Sequence, residues 1–260
     1  MIVWRLLMEN GVHKKAACCS ADASNAGRRN VLKTALSVAA VGLAGSMGGI
    51  ESAFAEALSK SERDKLTPDQ IIERFKQGNR RFRSGKVLAH DYLAQKRATA
   101  GGQYPAAVIL SCIDSRTPAE ILLDTRIGDT FNARIAGNIA NEDLLGSLEF
   151  ACAAAGAKVV LVMGHTGCGA IKGAIDHVEL GNLTGLLAKI RPAVDETQYT
   201  GDRSSKNYEF VDAVAKTNVR RTIDAIRNGS NVLAPMEKDG KIKIVGAMYH
   251  LNGGAVEFLI

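Results

Sequence analysis

From residue 106 onward the sequence alternates short apolar runs with longer stretches of helical periodicity. The apolar runs occupy residues 106–111, 130–135, 158–164, 242–249 and 255–260, and helical patterns lie between them at about 141–156, 168–178, 183–192 and 206–228. A continuous apolar run of this length suits a strand buried on both faces. Strands separated by helices of this length pair in parallel, because the helix carries the chain back across the sheet. The expected fold class is therefore α/β, with a mostly parallel central β-sheet flanked by helices. Gly253-Gly254 joins the last two runs too tightly for a crossover, which makes the final strand an antiparallel edge strand. A further helix is expected from Leu66 to Gly85, with Thr67 as N-cap, Pro68 in the first turn, and Ile71, Ile72 and Phe75 on one face. Its amphipathic part, 69–83, is expected to cover a partner subunit rather than a membrane. No internal repeat or low-complexity block follows residue 60, so residues 56–260 read as one domain.

Composition separates the first 55 residues from the rest. The 260-residue chain carries 33 Lys and Arg against 27 Asp and Glu, but six of the bases (Arg5, Lys14, Lys15, Arg28, Arg29 and Lys33) precede residue 56. Without that segment 27 basic and 24 acidic residues remain, and no basic block with interleaved aromatics is left. Nucleic-acid binding is not expected. The segment 1–55 reads as an export signal: Gly27-Arg28-Arg29-Asn30-Val31-Leu32-Lys33 resembles a twin-arginine motif, an uncharged stretch runs from Thr34 to Ile50, and Ala53-Phe54-Ala55 offers small residues for cleavage. That stretch is at the short limit for spanning a bilayer and is rich in Gly and Ser, so no stable membrane insertion is expected after processing. The expected location is the periplasm.

Three cysteines follow the leader: Cys112, Cys152 and Cys168. An odd number makes no disulfide framework. Cys112 directly follows a strand, in Ser111-Cys112-Ile113-Asp114-Ser115-Arg116. His165 directly follows another, in His165-Thr166-Gly167-Cys168-Gly169. In an open parallel sheet, functional groups gather beyond the carboxyl ends of the strands. An imidazole and a thiolate three residues apart on a tight turn can share one metal ion, and Cys168 would open the following helix. With Cys112 the set is Cys2His, which favours Zn2+ and leaves the fourth tetrahedral position open. Asp114 can then receive a hydrogen bond from water in that position or occupy it, and Arg116 can hold the carboxylate ionised and aimed. Cys152, on the apolar helix segment Leu148–Ala153, reads as packing. His90, His177 and His250 read as structural.

The two motifs, about fifty residues apart, resemble those of the β-class carbonic anhydrases. Pro118-Ala119-Glu120, Gly128-Asp129-Thr130-Phe131, Arg134-Ile135-Ala136-Gly137-Asn138 and Leu145–Phe150 extend the likeness in the family's order, over roughly residues 66–260. The resemblance implies a homodimer or dimer of dimers with one Zn2+ per subunit, bound by Cys112, His165 and Cys168. It implies reversible hydration of carbon dioxide to bicarbonate and a proton via zinc-bound hydroxide, with Asp114 and Arg116 as the catalytic dyad. For substrate binding it implies Gln103 reaching a partner subunit's site, the Gly169 N–H as donor to a substrate oxygen, and Phe131 as an apolar wall. Two positions depart from many members: Ile135 stands for Asn, and Phe150 for Tyr. Ile109 stands where one branch of the family carries a Trp that serves a non-catalytic bicarbonate site, so that regulation is not expected. Two other functions fit the motifs: hydrolysis of another small linear molecule, such as carbon disulfide or carbonyl sulfide, and a non-catalytic zinc or thiol module.

Overall fold

A computed structural model describes residues 57–259. The expected leader, its Arg28-Arg29 pair and the domain boundary at 55/56 lie outside the described residues. The sheet contains β1 (Ala107–Ser111), β2 (Thr130–Arg134), β3 (Val159–His165), β4 (Lys243–Tyr249) and β5 (Val256–Leu259), in the spatial order β2-β1-β3-β4-β5. The first four are parallel, and β5 runs antiparallel to β4. The tight connection between the last two closes through Gly254 N–H donating to His250 O at 3.0 Å, with Gly253 and Gly254 both at positive φ.

The strands are buried on both faces because their residues alternate between two apolar clusters. Val108, Leu110 and Cys112 face the same side as Val160 and Val162, where the long helix Tyr208–Gly229 supplies Phe210, Val211, Val214 and Val219. Ala107, Ile109, Leu161 and Met163 face the other side, against Ile71 and Phe75 of the helix Pro68–Arg83. Each of the Val, Leu, Ile, Met and Phe side chains among them contributes about 1.5–3 kcal/mol on burial. The helix Pro68–Arg83 begins as its sequence indicates, with a Thr67–Gln70 capping box and Pro68 in the first turn. Ile71, Phe75, Gly78 and Asn79 are buried on its own chain, and a Cβ at Gly78 would lie 1.8 Å from Leu123 O, so the helix is seated directly on the backbone at residue 123.

The helices differ from their sequence patterns in three places. The stretch expected at 183–192 is two helices, Gly181–Ala188 and Arg191–Glu196, because Pro192 has no N–H for the Ala188 carbonyl. The stretch at 141–156 is the α-helix Glu142–Glu149 continued by a π-turn over Phe150–Ala154. The helix Tyr92–Thr99 has no pattern to reveal it, since the one residue it buries is Gln95. That amide bonds the Ile127 N–H and lies 3.3 Å from the His90 ring. Among the described residues no helix is long and apolar enough to cross a membrane.

The helix Tyr208–Gly229 is pressed onto the sheet at two glycines. A Cβ at Gly164 would lie 2.7 Å from Val219 Cγ2 and 2.9 Å from Met248 Sδ, and one at Gly246 would lie 2.8 Å from Val219 Cγ1. Contacts this short fix the height of the helix above β3 and β4. Gly164→Ala should therefore cost about 1–3 kcal/mol by overpacking, read as a lower urea midpoint of the metal-loaded protein. An unchanged midpoint would show that the helix has room to move.

Candidate metal centre

Three donors converge at the carboxyl ends of β1 and β3. Strand alternation turns Cys112, one residue past β1, toward the same face as Val108 and Leu110. His165 is the last residue of β3, and Cys168 is the N-cap of the helix Gly169–Ile175. Gly167 turns the chain between them at φ +62°, a conformation that glycine adopts without a Cβ penalty. The ligand atoms of Cys112, His165 and Cys168 all lie within 4.8 Å of one another, and the residues are 4%, 1% and 0% exposed.

The imidazole is set up as a ligand. Its Nδ1 lies 3.0 Å from Thr166 O, and a carbonyl can only accept, so Nδ1 carries the proton. Nε2 is then the bare nitrogen, and it is buried with no hydrogen-bond partner among the described residues. The thiols make the same point through charge. Cys112 and Cys168 Sγ are 4.0 Å apart. The hydrogen bond from Cys168 holds the Cys112 thiol down, to about 4, assisted by His165 and the Gly137 N–H, while burial acts in the opposite sense. The same contact, followed by burial, drives Cys168 far upward, because a second thiolate would face the first. The Ile171 and Ala170 amides at the helix start favour its thiolate without overcoming that. A divalent cation among the three donors removes the conflict, and soft sulfur with imidazole nitrogen suits zinc. The residues present fit the metal.

Asp114 lies beside this group, its Oδ2 3.9 Å from His165 Nε2. Arg116 holds it in a fork: Nε to Oδ1 at 2.9 Å and an Nη to Oδ2 at 2.7 Å, with the Arg116 backbone N–H adding 2.9 Å to Oδ1. These bonds hold the carboxyl well below the usual carboxylate range, although its partial burial opposes them. The loop carrying both is clamped by a residue to which the sequence reading gave no role. Arg134, at the end of β2, donates to the carbonyls of Cys112 and Asp114, and Thr117 Oγ1 donates to Asp114 O at 2.9 Å. Gly137 is equally unassigned by sequence. Its N–H points at Cys112 Sγ at 3.4 Å, its φ is +69°, and a Cβ there would lie 2.4 Å from Ile190 Cδ1. The glycine in Arg134–Asn138 was the available signal for a close approach.

The remaining expected residues divide. Gly169 begins the helix beside Cys168, and a Cβ built there meets nothing within 4 Å, so its backbone faces open space. Gln103 is exposed before β1 and, among the described residues, makes no hydrogen bond to the centre. Phe131 pairs in register with Val108, far from the thiol end of β1, and meets Phe150 edge-on at 6.1 Å between ring centroids. Neither Gln103 nor Phe131 joins the centre of its own chain. Ile109 is fully buried on the opposite face of β1 from Cys112. Cys152 is buried in the core, which pushes its thiol up to about 12, as packing alone requires. His90 bonds Asp124 at 2.8 Å and stacks on Tyr92, and His250 bonds Glu257 at 3.1 Å.

A family model described as carbonic anhydrase matches residues 107–256. Carbonic anhydrase 2 of Mycobacterium tuberculosis is 32% identical over 186 residues, which cover 69% of this chain and 87% of that protein. Among solved structures, the β-carbonic anhydrase CafA of Aspergillus fumigatus superposes with a TM-score of 0.56 at 29% identity, over 63% of this chain and 79% of that one. One of two tetrameric β-carbonic anhydrases of Sordaria macrospora does so with a TM-score of 0.55 at 24% identity, over 62% and 83%.

Among the described residues the centre has three ligands, and removing one leaves too few to retain an ion. Cys168→Ala should lower the zinc content of the purified, folded protein by about tenfold or more, measured by elemental analysis. Retention of one zinc per chain would contradict the ligand set.

Proposed function

The chain belongs to the carbonic anhydrase family, and from that premise we propose that it catalyses reversible hydration of carbon dioxide to bicarbonate and a proton at a centre built from Cys112, His165 and Cys168. The observation that carries this is the buried donor trio with a bare imidazole nitrogen and an ionised Asp114 held beside it. Cys112, His165 and Cys168 would hold a zinc ion, which would supply Lewis-acid chemistry and bring the pKa of water there to about 7. Asp114 Oδ2 accepts a hydrogen bond from the attacking water and aims its lone pair. Arg116 keeps that carboxylate ionised and holds both of its oxygens in one orientation. The Gly169 N–H donates to an oxygen of the substrate at the start of its helix. Stopped-flow measurement of carbon dioxide hydration tests the reading. A rate proportional to zinc content is expected, and a fully zinc-loaded chain no faster than buffer would overturn it.

Two other readings are less well supported. The relatives are named carbonic anhydrases, which does not favour carbon disulfide or carbonyl sulfide as substrate. A purely structural zinc closes its shell with a fourth Cys or His. Among the described residues the cluster holds three ligands, and the nearest further acid is paired to Arg116.

The proposed assembly is a homodimer or dimer of dimers. Val87, Tyr92, Ile121 and Ile127 are large apolar residues left 44–56% exposed around one cleft beside β2. That surface, next to an unpaired strand edge, suits a second copy of this chain. In such a pair Gln103 and Phe131, which stand apart from their own centre, would serve the partner's. The proposed location is the periplasm, reached by the twin-arginine route. That route carries folded proteins, so the ligand thiols would be buried and metal-bound before they meet an oxidising compartment.

Arg116→Ala should lower kcat by about 10–100-fold while zinc stays bound, because Asp114 loses the group that aims it. Unchanged kinetics would reduce the pair to a surface ion pair. Replacing Arg28 and Arg29 together with Lys should hold the protein in the cytoplasm, measured by fractionation. Normal periplasmic delivery would contradict the twin-arginine route.

A further inference from the structure

The two-residue bridge between His165 and Cys168 has few internal hydrogen bonds, and its backbone is held from outside at two points. The Thr166 N–H donates to Tyr249 O at the end of β4, at 3.0 Å. The Gly167 N–H donates to Asp212 Oδ1 at 2.8 Å. The first tether is backbone to backbone and needs no particular side chain. The second depends on one carboxylate.

The Thr166–Gly167 peptide unit connects that carboxylate to the metal ligand. Its carbonyl accepts the proton of His165 Nδ1 at 3.0 Å, while its N–H donates to Asp212. The chain of polar contacts therefore runs from His165 Nδ1–H through a single peptide plane to Asp212 Oδ1. A carboxylate pulling on the N–H side of an amide makes its carbonyl a stronger acceptor, since hydrogen bonds in series polarise one another. A stronger acceptor at Nδ1 fixes the imidazole tautomer and ring orientation and makes Nε2 a better donor to a metal. A carboxylate bonded directly to a ligand histidine has this effect. Here a peptide stands between the two.

The anchor is rigid. Asp212 lies in the helix Tyr208–Gly229, seven residues and so about two turns before Val219, on the same face. Val219 is the residue wedged against Gly164 and Gly246, which fixes the helix above the sheet. Tyr208, one turn before Asp212, closes the other side of the bridge, with its Cε1 3.6 Å from where a Gly167 Cβ would stand. Burial pushes the Asp212 carboxyl up, and the Gly167 N–H, followed by His250, His165 and Lys172, acts in the opposite direction. A tether that only had to fill one N–H could be neutral. An acid here incurs desolvation, and its negative charge faces the histidine.

From this geometry we infer that Asp212 is a positioning residue of the metal centre, acting through the Thr166–Gly167 peptide to orient His165 and strengthen Nε2 as a zinc ligand. The inference rests on the zinc-centre reading but not on the identity of the substrate. Asp212→Ala removes both charge and acceptor; Asp212→Asn keeps an acceptor oxygen and removes the charge. Zinc release to a chelator should be about 10–100-fold faster than wild type in Asp212→Ala and intermediate in Asp212→Asn. The visible spectrum of the cobalt-substituted protein and the His165 Nδ1 proton resonance should shift in the same order. Should Asp212→Ala not fold, Asp212→Ser, whose hydroxyl is too short to span the gap, takes its place. Wild-type zinc release, cobalt spectrum and Nδ1 resonance in a folded Ala or Ser variant would overturn the inference. Loss of folding stability alone, without those changes, would also overturn it, because Asp212 would then be only a helix-to-loop tie. A wild-type chain that binds zinc without hydrating carbon dioxide would contradict the enzymatic reading and leave this one standing.

Discussion

Two sulfurs fixed 4.0 Å apart in the protein interior, facing an imidazole nitrogen that has no hydrogen-bond partner among the described residues, set the terms for the rest of this structure. Two unit charges at that separation repel by about 4 kcal/mol at the effective dielectric appropriate to proteins. Without a cation the pair resolves the conflict unequally, with a thiolate favoured at Cys112 and a thiol at Cys168. A divalent cation held there would let both serve as thiolate ligands. The fold holds this arrangement in place: β1 and β3 are adjacent, parallel and in register, so their carboxyl ends deliver Cys112 and His165 to one place, and a single glycine turn adds Cys168.

The supporting contacts fall into two groups, and each governs a different part of the chemistry. Arg134, Thr117 and Gly137 hold the Cys112 loop and its sulfur, which determines whether the trio exists. Arg116 holds Asp114, which determines what the trio can do. The carboxylate is near enough to the ligand atoms to compete for the metal, and the guanidinium fork engages both of its oxygens and fixes where it sits. That pair is partly exposed, with Arg116 58% open to solvent, so its value lies in aiming a charge rather than in stability.

Much of this was legible in the residues because the chemistry is compressed into short motifs at strand ends. Alternating apolar runs and helices gave the parallel sheet, and Gly253-Gly254 gave the antiparallel edge. Cys112, His165, Cys168, Asp114 and Arg116 were each identifiable before any coordinates, and they meet. What the sequence hid depends on long-range contacts. The seat of the Pro68–Arg83 helix on its own chain rests on Gly78 meeting the carbonyl of Leu123, which periodicity does not encode. The helix Tyr92–Thr99 buries a glutamine, so it has no apolar stripe to find. Arg134 and Asp212 look like ordinary surface charges in the sequence. Their roles come from backbone groups 20 or more residues away, on loops they reach only after the sheet has formed.

The donor set predicts two thiolates and one imidazole on zinc, with a fourth position left for water. X-ray absorption at the zinc edge of the purified protein tests it directly. The expected first shell is two sulfurs at about 2.3 Å, one imidazole nitrogen at about 2.0–2.1 Å, and one light atom from solvent that inhibitory anions replace. A shell of four protein ligands with no exchangeable position, or one with fewer than two sulfurs, would contradict this ligand set.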